Sequence, residues 1–155
     1  MKKRLTFSFF LLSFALFAQK TKQDQTQLHV IKNLYKRLEH IDVNTKEQMI
    51  WRYKYNDSSL KVLQNFSKIV VKENVIIDEI VRSNTDTSKY TISVSELKKY
   101  TPEELLDRLN YINDVAKYSR IKNHYAIIEG SNVKDKFEIQ KYKPIGKKQK
   151  AIKED

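Results

Sequence analysis

The chain has 155 residues, no cysteine, two glycines, two prolines and a formal net charge of +11. Without a thiol it has no disulfide framework, no cysteine-ligated zinc site, no thiol nucleophile and no cysteine for lipid attachment. The length suits one ordinary domain with its own core, and the scarcity of Gly and Pro favours helices joined by polar loops.

Lys2, Lys3 and Arg4 precede a charge-free run from Leu5 to Ala18, after which Gln19 and Lys20 return to polar sequence. This is the order of a secretory signal peptide. Leu16 departs from the small residue preferred three positions before a cut. The run falls short of the roughly 20 apolar residues that span a bilayer, so the expectation is cleavage after residue 18 and a periplasmic or secreted product. That product has 137 residues and a charge of +8, and its charge is uneven. Lys141, Lys143, Lys147, Lys148, Lys150 and Lys153 lie in a stretch without an acid, so the C-terminus carries most of the excess.

A first helix is predicted from about Gln23 to His40, where Leu28, Ile31, Leu34, Tyr35, Leu38 and Ile41 recur at three- and four-residue steps. Thr45 to Gln48 fits a capping box, which predicts a second, short helix to about Tyr55. A strand is the rival there. Trp51, Tyr53 and Tyr55 alternate with Arg52 and Lys54, so a pleat would put rings on one face and cations on the other. Asn56 to Ser59 supplies a cap for a third helix from about Ser59 to Arg82, with Asp78 and Arg82 as an i, i+4 pair. Its β-branched runs, Ile69 to Val71 and Val75 to Ile77, could instead be buried strands. Length and the lack of a glycine between them favour the helix.

Residues 83–89 read as a loop. Tyr90 to Val94 alternates like a short strand, while Ser93 and Glu96 would also fit a capping box. Thr101, Pro102 and Glu104 then form a cap, a proline at the first helical position and the box partner, and predict a helix to about Ile121. Glu104 and Arg108 would pair on its exposed face. Tyr125 to Ile128, turn-like Glu129 to Asn132, and Lys136 to Tyr142 suggest a C-terminal hairpin. The resulting expectation is a mainly α protein: a small bundle of about four helices in one domain over 19–142. It would carry a possible short C-terminal β-hairpin and a disordered basic tail over 143–155.

No catalytic, metal or cofactor motif stands out. His29, His40 and His124 make no two-histidine metal spacing, and there is no phosphate loop or nucleophile elbow. Glu103, Glu104, Asp107 and Asp114 read as a solvated helix face. Two binding candidates remain. Trp51, Arg52, Tyr53, Lys54 and Tyr55 could stack on a partner, although core packing of the rings is the simpler reading. The lysines at 141, 143, 147, 148, 150 and 153 could hold an anionic surface.

The functional expectation is therefore an exported, non-enzymatic accessory protein of a bacterial envelope that docks on a larger protein. The alternative is binding of an anionic envelope polymer or lipid through the lysine tail. A small hydrolase with a dispersed site is the weaker third reading. Export disfavours nucleic acid as a partner.

Overall fold

The computed structural model describes residues 24–84, 86–134 and 136–142, with the side chains of 136–138 left aside. The expected signal peptide over 1–18 and the expected basic tail over 143–155 lie outside these residues. The fold is not a helical bundle. It is a mixed α/β structure built on a four-stranded antiparallel sheet. A helix over residues 24–40 (α1) leads to β1 (Met49–Asp57), α2 (Leu60–Val70), a 3-10 turn (Val71–Glu73) and β2 (Ile76–Arg82). Then follow β3 (Tyr90–Lys98), α3 (Pro102–Tyr118), β4 (Ile127–Asn132) and the short α4 (Lys136–Lys141). The strand order is β2-β3-β1-β4.

The segment expected to be the second helix is the central strand, and magnitudes explain why. On a helix, Trp51 and Tyr55, four residues apart, would share a face and Tyr53 would point away from it. On a strand they share one face, where all three are essentially inaccessible to solvent. Burying a large apolar side chain stabilises by about 1.5–3 kcal/mol. A helix cap contributes about 1 kcal/mol. The third ring by itself outweighs one cap, and Thr45 instead donates to Glu39 within a turn.

The long third helix is likewise broken. α2 starts on the expected Ser59 cap, whose hydroxyl accepts from the Val62 amide, but it ends at Val70. Asn74 takes a left-handed conformation (φ 60°) and reverses the chain into β2. The turn needs no glycine because Asn tolerates that region. Asp78 and Arg82 are consequently strand residues, not a helical pair. Tyr90 to Val94 is strand, within a β3 that runs on through Glu96, so Ser93 and Glu96 form no cap.

α3 matches its sequence signals at the start. Thr101 Oγ1 accepts from the Glu104 amide, and Glu104 Oε2 accepts from the Thr101 amide. There is no C-terminal hairpin: β4 pairs with β1, and the following segment is helical.

Three helices cover one face of the sheet. The core joins Ile31, Tyr35 and Leu38 of α1, Leu63, Phe66 and Val70 of α2, and Leu105, Leu106, Ile112 and Ala116 of α3. These residues meet Met49, Trp51, Tyr53, Tyr55, Ile92 and Val94 of the sheet. Gly130 reads in sequence as part of a turn, yet it lies in β4. A Cβ there would stand 2.9 Å from Met49 Cε and 3.0 Å from both Leu38 Cδ1 and Trp51 Cζ3. The glycine lets α1 and the Trp51 ring close over the edge strand.

Candidate functional site

The five-residue binding candidate is divided by the sheet. Trp51, Tyr53 and Tyr55 are core residues: the Trp51 ring lies 5.6 Å from that of Tyr35, and Tyr55 meets Phe66 edge-on at 5.0 Å. Their polar atoms are occupied as well. Trp51 Nε1 donates to the Lys98 carbonyl, Tyr53 to Glu96, and Tyr55 to Asn113. Arg52 and Lys54 stand on the opposite face. Arg52 donates to Ser131 Oγ at 3.2 Å and lies 3.9 Å from Asp78, and Lys54 meets Glu129 at 2.6 Å. The rings are therefore not a stacking platform. Lys141 is exposed at the end of α4, while Lys143, Lys147, Lys148, Lys150 and Lys153 lie outside the described residues.

Two polar clusters invite a test for chemistry. Inside the core, Glu96 accepts from Tyr53 (2.6 Å), Tyr100 (3.2 Å) and Arg108, whose Nη2 is 2.8 Å away and also donates to the Glu73 carbonyl. The expected Glu104–Arg108 pair gives way to this one, because Glu104 is spent on its cap. Burial, then the Glu96 charge, pushes the Tyr53 and Tyr100 hydroxyls far above the usual phenol value and keeps them as donors. Burial alone would lower Arg108, but its Glu96 bonds outweigh this and raise it. Every group here is satisfied by another, which is the arrangement of a structural network.

On the other face a bulge in β2, between Ile77 and Glu79, turns Asp78 toward β3. Ser95 Oγ donates to Asp78 at 2.7 Å and lies 2.9 Å from the Tyr142 hydroxyl, and Ser93 donates at 3.2 Å. A serine beside a carboxylate is the start of a nucleophile, but Ser95 is wholly buried and no substrate reaches it. The imidazoles stand elsewhere: His29 and His40 on α1, and His124 in the connection between α3 and β4. Among the described residues no group of three or more His, Asp or Glu is placed to hold a metal, and no helix is long and apolar enough to cross a membrane.

The surface feature of greatest interest is that α3–β4 connection together with the last turn of α3 and the first residues of β4. From Val115 to Ile128 the chain has no acid but carries Lys117, Arg120, Lys122 and His124. Lys117, Arg120 and Lys122 are exposed, and no described carboxylate lies within ion-pair distance of them. Tyr118 is 82% exposed, Tyr125 55% and Ile127 57%. Tyr125 stacks against His124 with ring centroids 4.6 Å apart.

Buried polar groups fix this loop. Asp57, almost fully buried, accepts from the Lys122 amide through Oδ2 and from the Ser59 amide through Oδ1. Asn113 Oδ1 accepts from both the Ala126 amide and Tyr55. The buried Ile121 anchors its middle. A helix predicted to run to Ile121 conceals the feature, because it turns Lys117 and Arg120 into an ordinary solvated face. The acid-free run is its visible trace in the sequence.

Comparison with family models, with curated proteins and with solved structures gave no match.

Proposed function

We propose that the chain is an exported, non-enzymatic accessory protein of a bacterial cell envelope that docks on a larger protein. The α3–β4 connection carries this reading. Lys117 and Tyr118 stand on the last turn of α3, Arg120 follows it, and Lys122 and Tyr125 lie on the loop that Asp57 and Asn113 pin at the Lys122 and Ala126 amides. Tyr and Arg are the side chains that most often anchor protein interfaces, and a loop fixed in advance loses little freedom on binding. The signal-like residues 1–18 support export.

The second reading is attachment to an anionic polymer or lipid through the lysine tail. It is supported by the six lysines between 141 and 153, which have no acid among them. Retention on envelope fractions separates the two. Residues 19–155 are compared with 19–142 at about 0.15 M and about 1 M salt, where the screening length falls from about 8 to about 3 Å. Ending the short form after Tyr142 preserves its bond with Ser95. The docking reading expects the short form to remain bound. Binding lost with the tail moves the function to polymer or lipid attachment, and no retention of either form overturns both readings.

A further inference from the structure

The described residues include three non-glycine positions with positive φ: Asp42, Asn74 and Arg120. Each ends a helical segment, and only one is unusual. Asp and Asn tolerate the left-handed region because their short polar side chains bond locally, whereas arginine has no such compensation.

Arg120 closes α3 in a Schellman motif. Its amide donates to the Lys117 carbonyl at 2.9 Å, and the Ile121 amide reaches back to the Ala116 carbonyl at 3.1 Å. The position that takes the left-handed turn is the one where glycine is favoured. The backbone is thus strained at φ 68° to set an exposed guanidinium there, between Lys117 and Lys122. Strain of this kind persists where the surroundings fix it and often marks a functional position.

We infer that the α3–β4 loop docks on an acidic protein face and that Arg120 is its principal specificity-determining cation, a deepening that rests on the docking function proposed above. Charge sets the sign of the partner: three unpaired cations and no acid between Val115 and Ile128 repel a basic face and attract an acidic one. The neighbours set its class. Exposed Tyr118, Tyr125 and Ile127 offer aromatic and aliphatic surface beside the charges, and this mixture fits a protein face better than a purely polar chain. Ile127 also begins β4, which lies at the edge of the sheet.

The test uses residues 19–155, which omit nothing from the described fold, and immobilised poly-L-glutamate as the acidic polypeptide. Polygalacturonate and phosphatidylglycerol vesicles are the other anionic surfaces. Arg120→Gly removes the cation and relieves the backbone, so it should raise the melting temperature by about 2–4 °C. The same change should weaken poly-L-glutamate binding about fivefold or more. Arg120→Lys, which keeps the charge, should retain most of the binding. The lysine tail is common to all three proteins, so the differences report the loop alone.

Unchanged poly-L-glutamate binding by Arg120→Gly overturns the inference, as does an equal or larger fold loss of its binding to polygalacturonate or to the vesicles. If Arg120→Gly binds like wild type while envelope retention survives truncation after Tyr142, this inference fails and the docking function stands. Retention that disappears with the tail is the failure of the docking function itself.

Discussion

Replacing Gly130 by alanine tests the packing of α1 on the sheet edge. The new methyl would sit 2.9–3.0 Å from Met49 Cε, Leu38 Cδ1 and Trp51 Cζ3, against a preferred carbon–carbon separation of about 3.5–4.0 Å. Met49 and Leu38 present flexible ends and can yield. Trp51 is held by its bond to the Lys98 carbonyl and by Tyr35. Overpacking a dense core costs about 1–3 kcal/mol, while an alanine in place of glycine returns about 0.4–1 kcal/mol by restricting the unfolded chain. The net expectation is a loss of about 1–2 kcal/mol, or about 4–8 °C in melting temperature for a domain of this size. Urea unfolding followed by circular dichroism measures it. Shortening the neighbour with Leu38→Val should make the second change cost less than it does alone, a coupling a double-mutant cycle resolves. Unchanged or increased stability in Gly130→Ala would refute the close approach of helix and strand.

Three further outcomes are expected. Arg108→Met leaves the Glu96 carboxylate, 7% exposed, with only its two tyrosine donors, and should cost about 3–5 kcal/mol in urea unfolding. Adding Glu96→Gln, which keeps an acceptor for Tyr53, should recover part of that loss; a cost below about 1 kcal/mol would show that the pair is not buried. Trp51 is the single tryptophan and is fully buried, so iodide should leave its fluorescence unquenched until the protein unfolds. Quenching in the native state would return the ring to the surface and revive the stacking reading. Lys89 at 2.7 Å, followed by the Ser88 bonds, holds the Asp86 carboxyl at about 2, against an ordinary 3.8. A lowered folded value means that this ion pair favours the fold above the ordinary value and that the benefit disappears as pH falls toward 2. Carboxyl titration by NMR should show this shift, and Lys89→Gln should move it back upward; a wild-type value near 3.8 would contradict the pairing.

Local sequence determined the parts whose causes are local. α1 follows from its apolar stripe, and the start of α3 from Thr101, Pro102 and Glu104, which satisfy one another within four residues. The alternation from Trp51 to Tyr55 contained the strand, but a capping box at Thr45 to Gln48 competed with it. Only the three helices covering the rings give the pleat its advantage, because burial energy depends on what lies opposite. Asn74 could have been a helix residue until β2 found β3 to pair with.

The candidate surface divides in the same way. Its charge was present in the acid-free run from Val115 to Ile128, whereas its geometry depends on Asp57 and Asn113, 65 and 13 residues away from the amides they hold. Capping and periodicity act over one or two turns of chain, so sequence suffices to specify them. Strand pairing, the Glu96–Arg108 network and the left-handed turn at Arg120 depend on groups brought together by folding, and only the tertiary structure decides between arrangements that are locally equivalent.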